Sequence, residues 1–319
     1  MRVLLAGGAG FIGSHLADAL VARGDEVVIV DNLVTSRESN IAHLLDAGGT
    51  TFVHHDVCLP LPAHEALAAR FDAVMNFASP ASPSDFGSIP LEILDVGSTG
   101  TRHLLQRAHA DGATFMQAST SEVYGDPLVH PQAEDYWGNV SPIGPRSCYD
   151  EAKRFAEALV MAYHRVHGVN VRIVRIFNTY GERTRPNDGR VVSTFVAQAL
   201  RNEPITVHAG GTQSRSFCHV EDEVRGILAL LDSDCDGIPV NVGSPHEVSM
   251  RELAELIIEL TGSTSTIVDV PMPPEREGDP RQRTADISRA RALLGWEPRV
   301  SLRDGLTRMI AYFREHERL

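Results

Sequence analysis

Arg2-Val3-Leu4-Leu5-Ala6-Gly7-Gly8-Ala9-Gly10-Phe11-Ile12-Gly13 decides the fold of this chain. Five residues read as a buried strand, and glycines 7, 10 and 13 follow at G-x-x-G-x-x-G spacing. His15 to Ala22 then reads as a helix. A strand that turns on glycines into a helix brings bare backbone N–H groups to an anion at the helix N-terminus. The plainer reading is a tight turn. Its place between a strand and a helix favours a dinucleotide pyrophosphate cradle, with Gly7, Gly10, Phe11, Ile12 and Gly13 as candidate cofactor contacts.

Downstream the pattern repeats. Glu26 to Val30, Thr51 to His54, Ala73 to Phe77 and Thr114 to Ala118 read as further strands, with a helix over Thr99 to His109. Apolar strands separated by helices imply a parallel sheet covered on both faces. Right-handed crossovers make it doubly wound, a Rossmann α/β arrangement. Asp31 ends the second strand, roughly 20 residues past the glycines, where a carboxylate accepts ribose hydroxyls and repels a 2′-phosphate. NAD is therefore expected over NADP, with Asn32 beside it. The plainer reading of Asp31 is a loop cap.

After about Tyr180 proline, glycine and arginine become frequent. The chain is read as residues 1–180, a NAD-binding domain, and residues 181–319, a smaller α/β substrate lobe with some interleaving. Ser249 with Glu252 makes a capping box before one late helix, and Ser301 caps another over Leu302 to Phe313.

Of the 319 residues, 43% are hydrophobic and 22% charged, as in a soluble globular protein. No apolar run reaches the ~20 residues that span a bilayer. A cytoplasmic protein with no membrane partner is expected. The formal net charge of −13 repels polyanions, so nucleic acid is not an expected partner. The four cysteines show no metal-ligand spacing and are expected to be reduced, with no metal site.

Tyr149 and Lys153 stand four apart, so at helical spacing they share one face. A nearby ammonium favours phenolate, which makes the tyrosine a candidate base near neutral pH. Such a pair is often surface decoration. Behind a dinucleotide motif and Ser119-Thr120-Ser121-Glu122 it is more specific.

Here the chain resembles the extended short-chain dehydrogenase/reductase family of sugar-nucleotide epimerases, dehydratases and decarboxylases, and most of all its UDP-glucuronate-decarboxylating branch. The resemblance spans nearly the whole length. It rests on Ala78-Ser79-Pro80-Ala81-Ser82-Pro83, on Ser119 to Pro127, on Pro142 to Arg146 running into the Tyr-Lys motif, and on Arg175 to Gly181. Asn187 to Val192 and Leu294 to Pro298 complete it.

The resemblance implies roles. Asp56 and Val57 would lie by the adenine, and Ala78 and Ser79 would line the cofactor path. Thr120 would bind the sugar 4-hydroxyl beside Tyr149. Pro80, Asn178, Arg190, Val191, Gln213 and Arg215 would hold the substrate, and Arg283 would meet the sugar carboxylate. Ser121 cannot protonate a departing 6-hydroxyl, as the acid of a 4,6-dehydratase must. Glu122, beside an anionic sugar, would be protonated or paired with Arg283. The implied reaction oxidises C4 of UDP-glucuronate, loses CO₂ and reduces C4 again, giving UDP-xylose with the NAD recycled in place.

The alternatives are a UDP-glucuronate 4-epimerase, another nucleotide-sugar epimerase or dehydratase, and a NAD-sensing regulator. The resemblance also implies a homodimer. Two positions depart from the family pattern. Gly97 stands where the family has asparagine, and Ser36 where it has glycine.

Overall fold

The computed structural model describes residues 1–271, 280, 282–317 and 319. The first part of the chain runs β1 (Arg2–Ala6), α1 (Phe11–Ala22), β2 (Glu26–Asp31), α2 (Ala42–Ala47), β3 (Thr50–His54), β4 (Ala73–Asn76), α3 (Pro90–Asp95), α4 (Thr101–Asp111), β5 (Thr114–Thr120), α5 (Ser147–His167) and β6 (Val171–Ile176). There follow β7 (Thr179–Tyr180), α6 (Val191–Leu200), β8 (Ile205–His208), β9 (Ser214–Ser216), β10 (Cys218–His219), α7 (Val220–Leu231) and β11 (Pro239–Val242). The last elements are β12 (Glu247–Ser249), α8 (Met250–Thr261), β13 (Ile267–Val270), β14 (Gln282–Arg283), α9 (Ser288–Leu294) and α10 (Leu302–His316).

Seven strands form one sheet in the order β3-β2-β1-β4-β5-β6-β11, and every pairing in it is parallel. Alternate residues of β1 serve opposite faces. Val3 and Leu5 join Leu16, Leu20, Ile29 and Ile227 in one core. Leu4 and Ala6 join Val28, Leu104, Phe115 and Val160 in another. Apolar side chains are thus needed at successive positions, which is why the strand reads as a continuous hydrophobic run. The order reverses between β1 and β4, and a crevice opens there at the carboxyl ends of the strands.

The chain leaves this sheet after β6, builds smaller sheets and comes back. α7 packs into the first core, and β11 pairs with β6. The smaller sheets are β12-β9-β14 and the pairs β10-β7 and β13-β8. A third core joins Phe195, Val196, Leu253, Ile257, Met309 and Phe313 of α6, α8 and α10.

Both late caps form as expected. Ser249 Oγ accepts from the Glu252 N–H at 3.2 Å, and Glu252 Oε2 accepts from the Ser249 N–H at 2.8 Å. Ser301 Oγ accepts from the Asp304 N–H at 3.1 Å. Two helices depart from their expected bounds. α1 begins at Phe11, so Gly13 lies inside its first turn. The helix expected from Thr99 is entered through a π-helical turn, Val96–Gly100. Thr101 Oγ1 donates to the Val96 carbonyl at 3.2 Å, a partner this wider turn needs.

Candidate functional site

The glycine turn forms one end of the cleft. Gly7 has φ +77°, and a Cβ there would lie 2.5 Å from the Phe77 carbonyl carbon. A Cβ on Gly13 would lie 2.1 Å from the Gly7 oxygen. Only hydrogen fits at either position, so the backbone closes tightly and a ligand can approach it closely. The turn, the start of α1, and the ends of β4 and β5 thus make a groove whose shape and bare backbone suit a dinucleotide pyrophosphate.

The cleft wall includes Gly7, Gly10, Phe11, Ile12, Gly13 and Ser79 at this end. Thr120, Ser121, Glu122, Tyr149 and Lys153 also line it, as do Asn178, Arg190, Val191, Gln213, Arg215 and Arg283. One hollow therefore collects residues from positions 7 to 283.

Six expected residues do not line the wall. Asp31 lies behind the glycine turn, where its Oδ2 accepts from the Ala9 N–H at 3.0 Å. Its Oδ1 accepts from the Leu33 N–H at 2.9 Å and the Ser36 hydroxyl at 2.7 Å. The carboxylate therefore braces the turn, and Ser36, where the family has glycine, is one of its partners. Asn32 donates to Asp56 at 3.3 Å. Val57 is buried, 2.9 Å from where a Cβ on Gly100 would lie. Ala78 packs against the second core, and Pro80 is buried.

Tyr149 and Lys153 lie in the first two turns of α5, both buried. The Tyr149 ring stacks on Phe86, centroids 5.1 Å apart and planes at 18°. Lys153 Nζ donates to the Ala118 carbonyl at 2.9 Å and lies 5.7 Å from the centre of the Tyr149 ring. Burial pushes the lysine down to about 8. It also pushes the Tyr149 phenol up to about 12, with the Glu122 carboxylate adding to the rise and the Thr120 hydroxyl opposing it. The ammonium is turned to the Ala118 backbone carbonyl, and burial is the largest influence on the phenol.

The chain holds 29 basic residues, and Lys153 is its single lysine; the other 28 are arginines (29 − 1). Amine chemistry occurs at this one side chain, a signal that counting lysine and arginine together conceals.

Glu122 is ionised and paired. Arg283 Nη1 donates to its Oε1 at 2.7 Å and Nη2 to its Oε2 at 2.6 Å. Arg146 Nη2 lies 2.8 Å from Oε1. Burial works to raise this carboxyl, but Arg283 and then Arg146 outweigh it and hold it down to about 2. Of the two readings of Glu122, paired or protonated, the paired one stands. Arg146 is the residue the sequence reading missed. Its signal was its place directly before the Tyr-Lys helix, in Pro145-Arg146-Ser147.

Gly97 is explained by packing. A Cβ there would lie 2.7 Å from the Ala152 Cβ and 2.9 Å from the Ala152 oxygen. The π-turn is pressed onto α5 next to Lys153, and asparagine has no room. Of the motif around Arg283, Asp279 and Arg281 lie outside the described residues.

Among the described residues, no helix is long and apolar enough to cross a membrane. Nor is any group of three or more His, Cys, Asp and Glu placed to hold a metal ion.

A family profile described as GDP-mannose 4,6 dehydratase matches residues 4–309. UDP-glucuronic acid decarboxylase 1 of Arabidopsis thaliana is 49% identical over 314 residues, covering 98% of this chain and 70% of that protein. Among solved structures, a UDP-glucose 4-epimerase from Thermotoga maritima superposes with a TM-score of 0.89 at 29% identity, covering 99% of each chain. The UDP-glucuronic acid 4-epimerase of Bacillus cereus, in complex with UDP-glucuronic acid and NAD, gives a TM-score of 0.87 at 30% identity, again over 99% of each chain.

Proposed function

Because this chain belongs to the GDP-mannose 4,6-dehydratase family, within the extended short-chain dehydrogenase/reductases, we propose that it is a NAD-dependent decarboxylase of UDP-glucuronate. The product is UDP-xylose. The observation that carries the reading is the buried Arg283 guanidinium, paired with Glu122 in the same cleft as Thr120 and Tyr149. It is a receptor for a sugar carboxylate in the cleft that also holds a proton-transferring phenol.

The residues at the glycine turn fit NAD, since Gly7 and Gly13 let the turn close where any Cβ would strike backbone. Gly7, Gly10, Phe11, Ile12, Gly13 and Ser79 would hold the dinucleotide, with Asp31, Asn32, Asp56, Val57 and Ala78 behind them. When bound, NAD brings a hydride acceptor and a positive charge to the cleft. Lys153 serves the same end of the cleft with its buried ammonium.

On the substrate side, Asn178, Arg190, Gln213 and Arg215 hold the diphosphate, with Pro80 and Val191 packing beside the sugar. Thr120 and Tyr149 hold the 4-hydroxyl, and Tyr149 takes its proton as C4 is oxidised. A 4-ketone makes the C5 carboxylate a β-keto acid, so loss of CO₂ leaves an enolate rather than a bare carbanion. Thr120 and Tyr149 hydrogen-bond that developing charge. Ser121 leaves room for a carboxylate where a dehydratase needs an acid, and Arg283 orients it. The enolate takes a proton at C5 from solvent in place of the lost CO₂, and Tyr149 returns its own proton to O4 as the ketone is reduced.

Residues 1–180 form the NAD-binding part and residues 181–319 the sugar-nucleotide lobe, interleaved where β11 and α7 return to the sheet. The chain works as a homodimer, a reading supported by the exposed Leu91 and Leu94 of α3 and Phe155 of α5. A cytoplasmic site is supported by four free cysteines.

Incubating the protein with UDP-glucuronate and weighing the sugar product tests the proposal. A pentose and released CO₂ are expected. A hexuronate of unchanged mass with inverted C4 would replace it with the epimerase.

A further inference from the structure

Glu122 is gripped from two directions by independent elements. Arg283, on β14, gives both terminal nitrogens to its two oxygens. Arg146, at the N-cap of α5, reaches Oε1 from elsewhere, its guanidinium 5.4 Å from the centre of the Phe86 ring. All three groups are buried, so both guanidiniums hold this carboxylate out of water. Glu122 also feels Arg215, and its own charge is felt by Tyr149 and Asp150 of α5.

Arg283 has thus committed both Nη atoms to Glu122, while its Nε is buried with no hydrogen-bond partner. A two-pronged grip on a sugar carboxylate requires Glu122 to release at least one prong. A carboxylate released into a buried site with no cation is strongly disfavoured. Arg146 removes that obstacle, because its hold on Glu122 does not pass through Arg283.

We propose that Arg146 is a positioning residue that retains Glu122 while Arg283 turns to the sugar carboxylate. One carboxylate exchanges for another on Arg283, and no charge is left bare. The inference rests on the reading above, in which Arg283 receives that carboxylate.

The test compares UDP-glucuronate with UDP-xylose, which has the same nucleotide and pyranose without the carboxylate. Both are titrated calorimetrically into the NAD-loaded protein. The wild type should favour UDP-glucuronate. R146M should lose about tenfold or more of its UDP-glucuronate affinity, as expected for truncating a buried charge pair. Its UDP-xylose affinity should stay within about twofold. R146K should recover most of the loss. If R146M does not bind NAD, R146Q is read by the same two ratios.

Equal weakening for both sugars would mean that Arg146 only supports the fold, and no weakening for either would mean that it does not matter. Both overturn the inference while leaving the wild-type preference intact. A wild type that binds the two sugars equally well overturns the carboxylate-receptor reading itself, and the inference with it.

Discussion

Arg283 and Glu122 meet fork to fork, at 2.7 and 2.6 Å, although 161 residues separate them in the chain. The pair is buried, so its geometry governs stability as well as recognition. E122Q leaves Arg283 and Arg146 facing each other with no anion between them. It should cost about 3–5 kcal/mol, read from urea midpoints at pH 7. The Glu122 carboxyl sits at about 2, below its ordinary 4.5, so its contribution is present above pH 4.5 and lost as pH falls toward 2. The wild-type advantage over E122Q should shrink across that window. An advantage constant down to pH 2 would contradict the ionised pair.

Tyr149→Phe removes the proton carrier and keeps the ring on Phe86. Turnover should fall by roughly 10²–10⁴-fold, the span of general acid–base catalysis. NAD binding, followed by calorimetry, should stay near the wild-type value. Undiminished CO₂ release would end the role assigned to Tyr149.

Lys153 sits at about 8 in the folded chain against an ordinary 10.5. The unfolded chain therefore binds more protons between those values, and stability should rise as pH climbs from about 8 to 10.5. The rise is at most about 3 kcal/mol. K153M should lack it, in denaturant midpoints measured at pH 7, 8, 9 and 10.

Gly97→Asn drives a side chain into Ala152, whose Cβ lies 2.7 Å from the position of the new Cβ. Overpacking of this kind costs about 1–3 kcal/mol. Adding A152G should return part of that loss. A G97N protein as stable as the wild type would show that the π-turn and α5 separate easily.

The sheet was legible because its strands are buried on both faces, which forces apolar residues at successive positions. The late caps were legible because Ser249–Glu252 and Ser301–Asp304 are local contacts three residues apart. The cleft was legible through motif runs such as Ser119 to Pro127. What escaped depends on distance in the chain. Arg146 joins Glu122 only after folding, and the rise of the Tyr149 phenol comes from burial, which no spacing reveals. The crowding at Gly97 likewise involves Ala152 on another helix.

The solitary lysine has a practical consequence. Within residues 1–319, a reagent selective for primary amines has one side-chain target, Lys153 Nζ. Reductive ¹³C-methylation of that side chain therefore gives a resonance reporting from the cleft. A pH titration of that signal reads the ammonium directly, and an endoprotease that cuts after lysine severs the unfolded chain once, within α5.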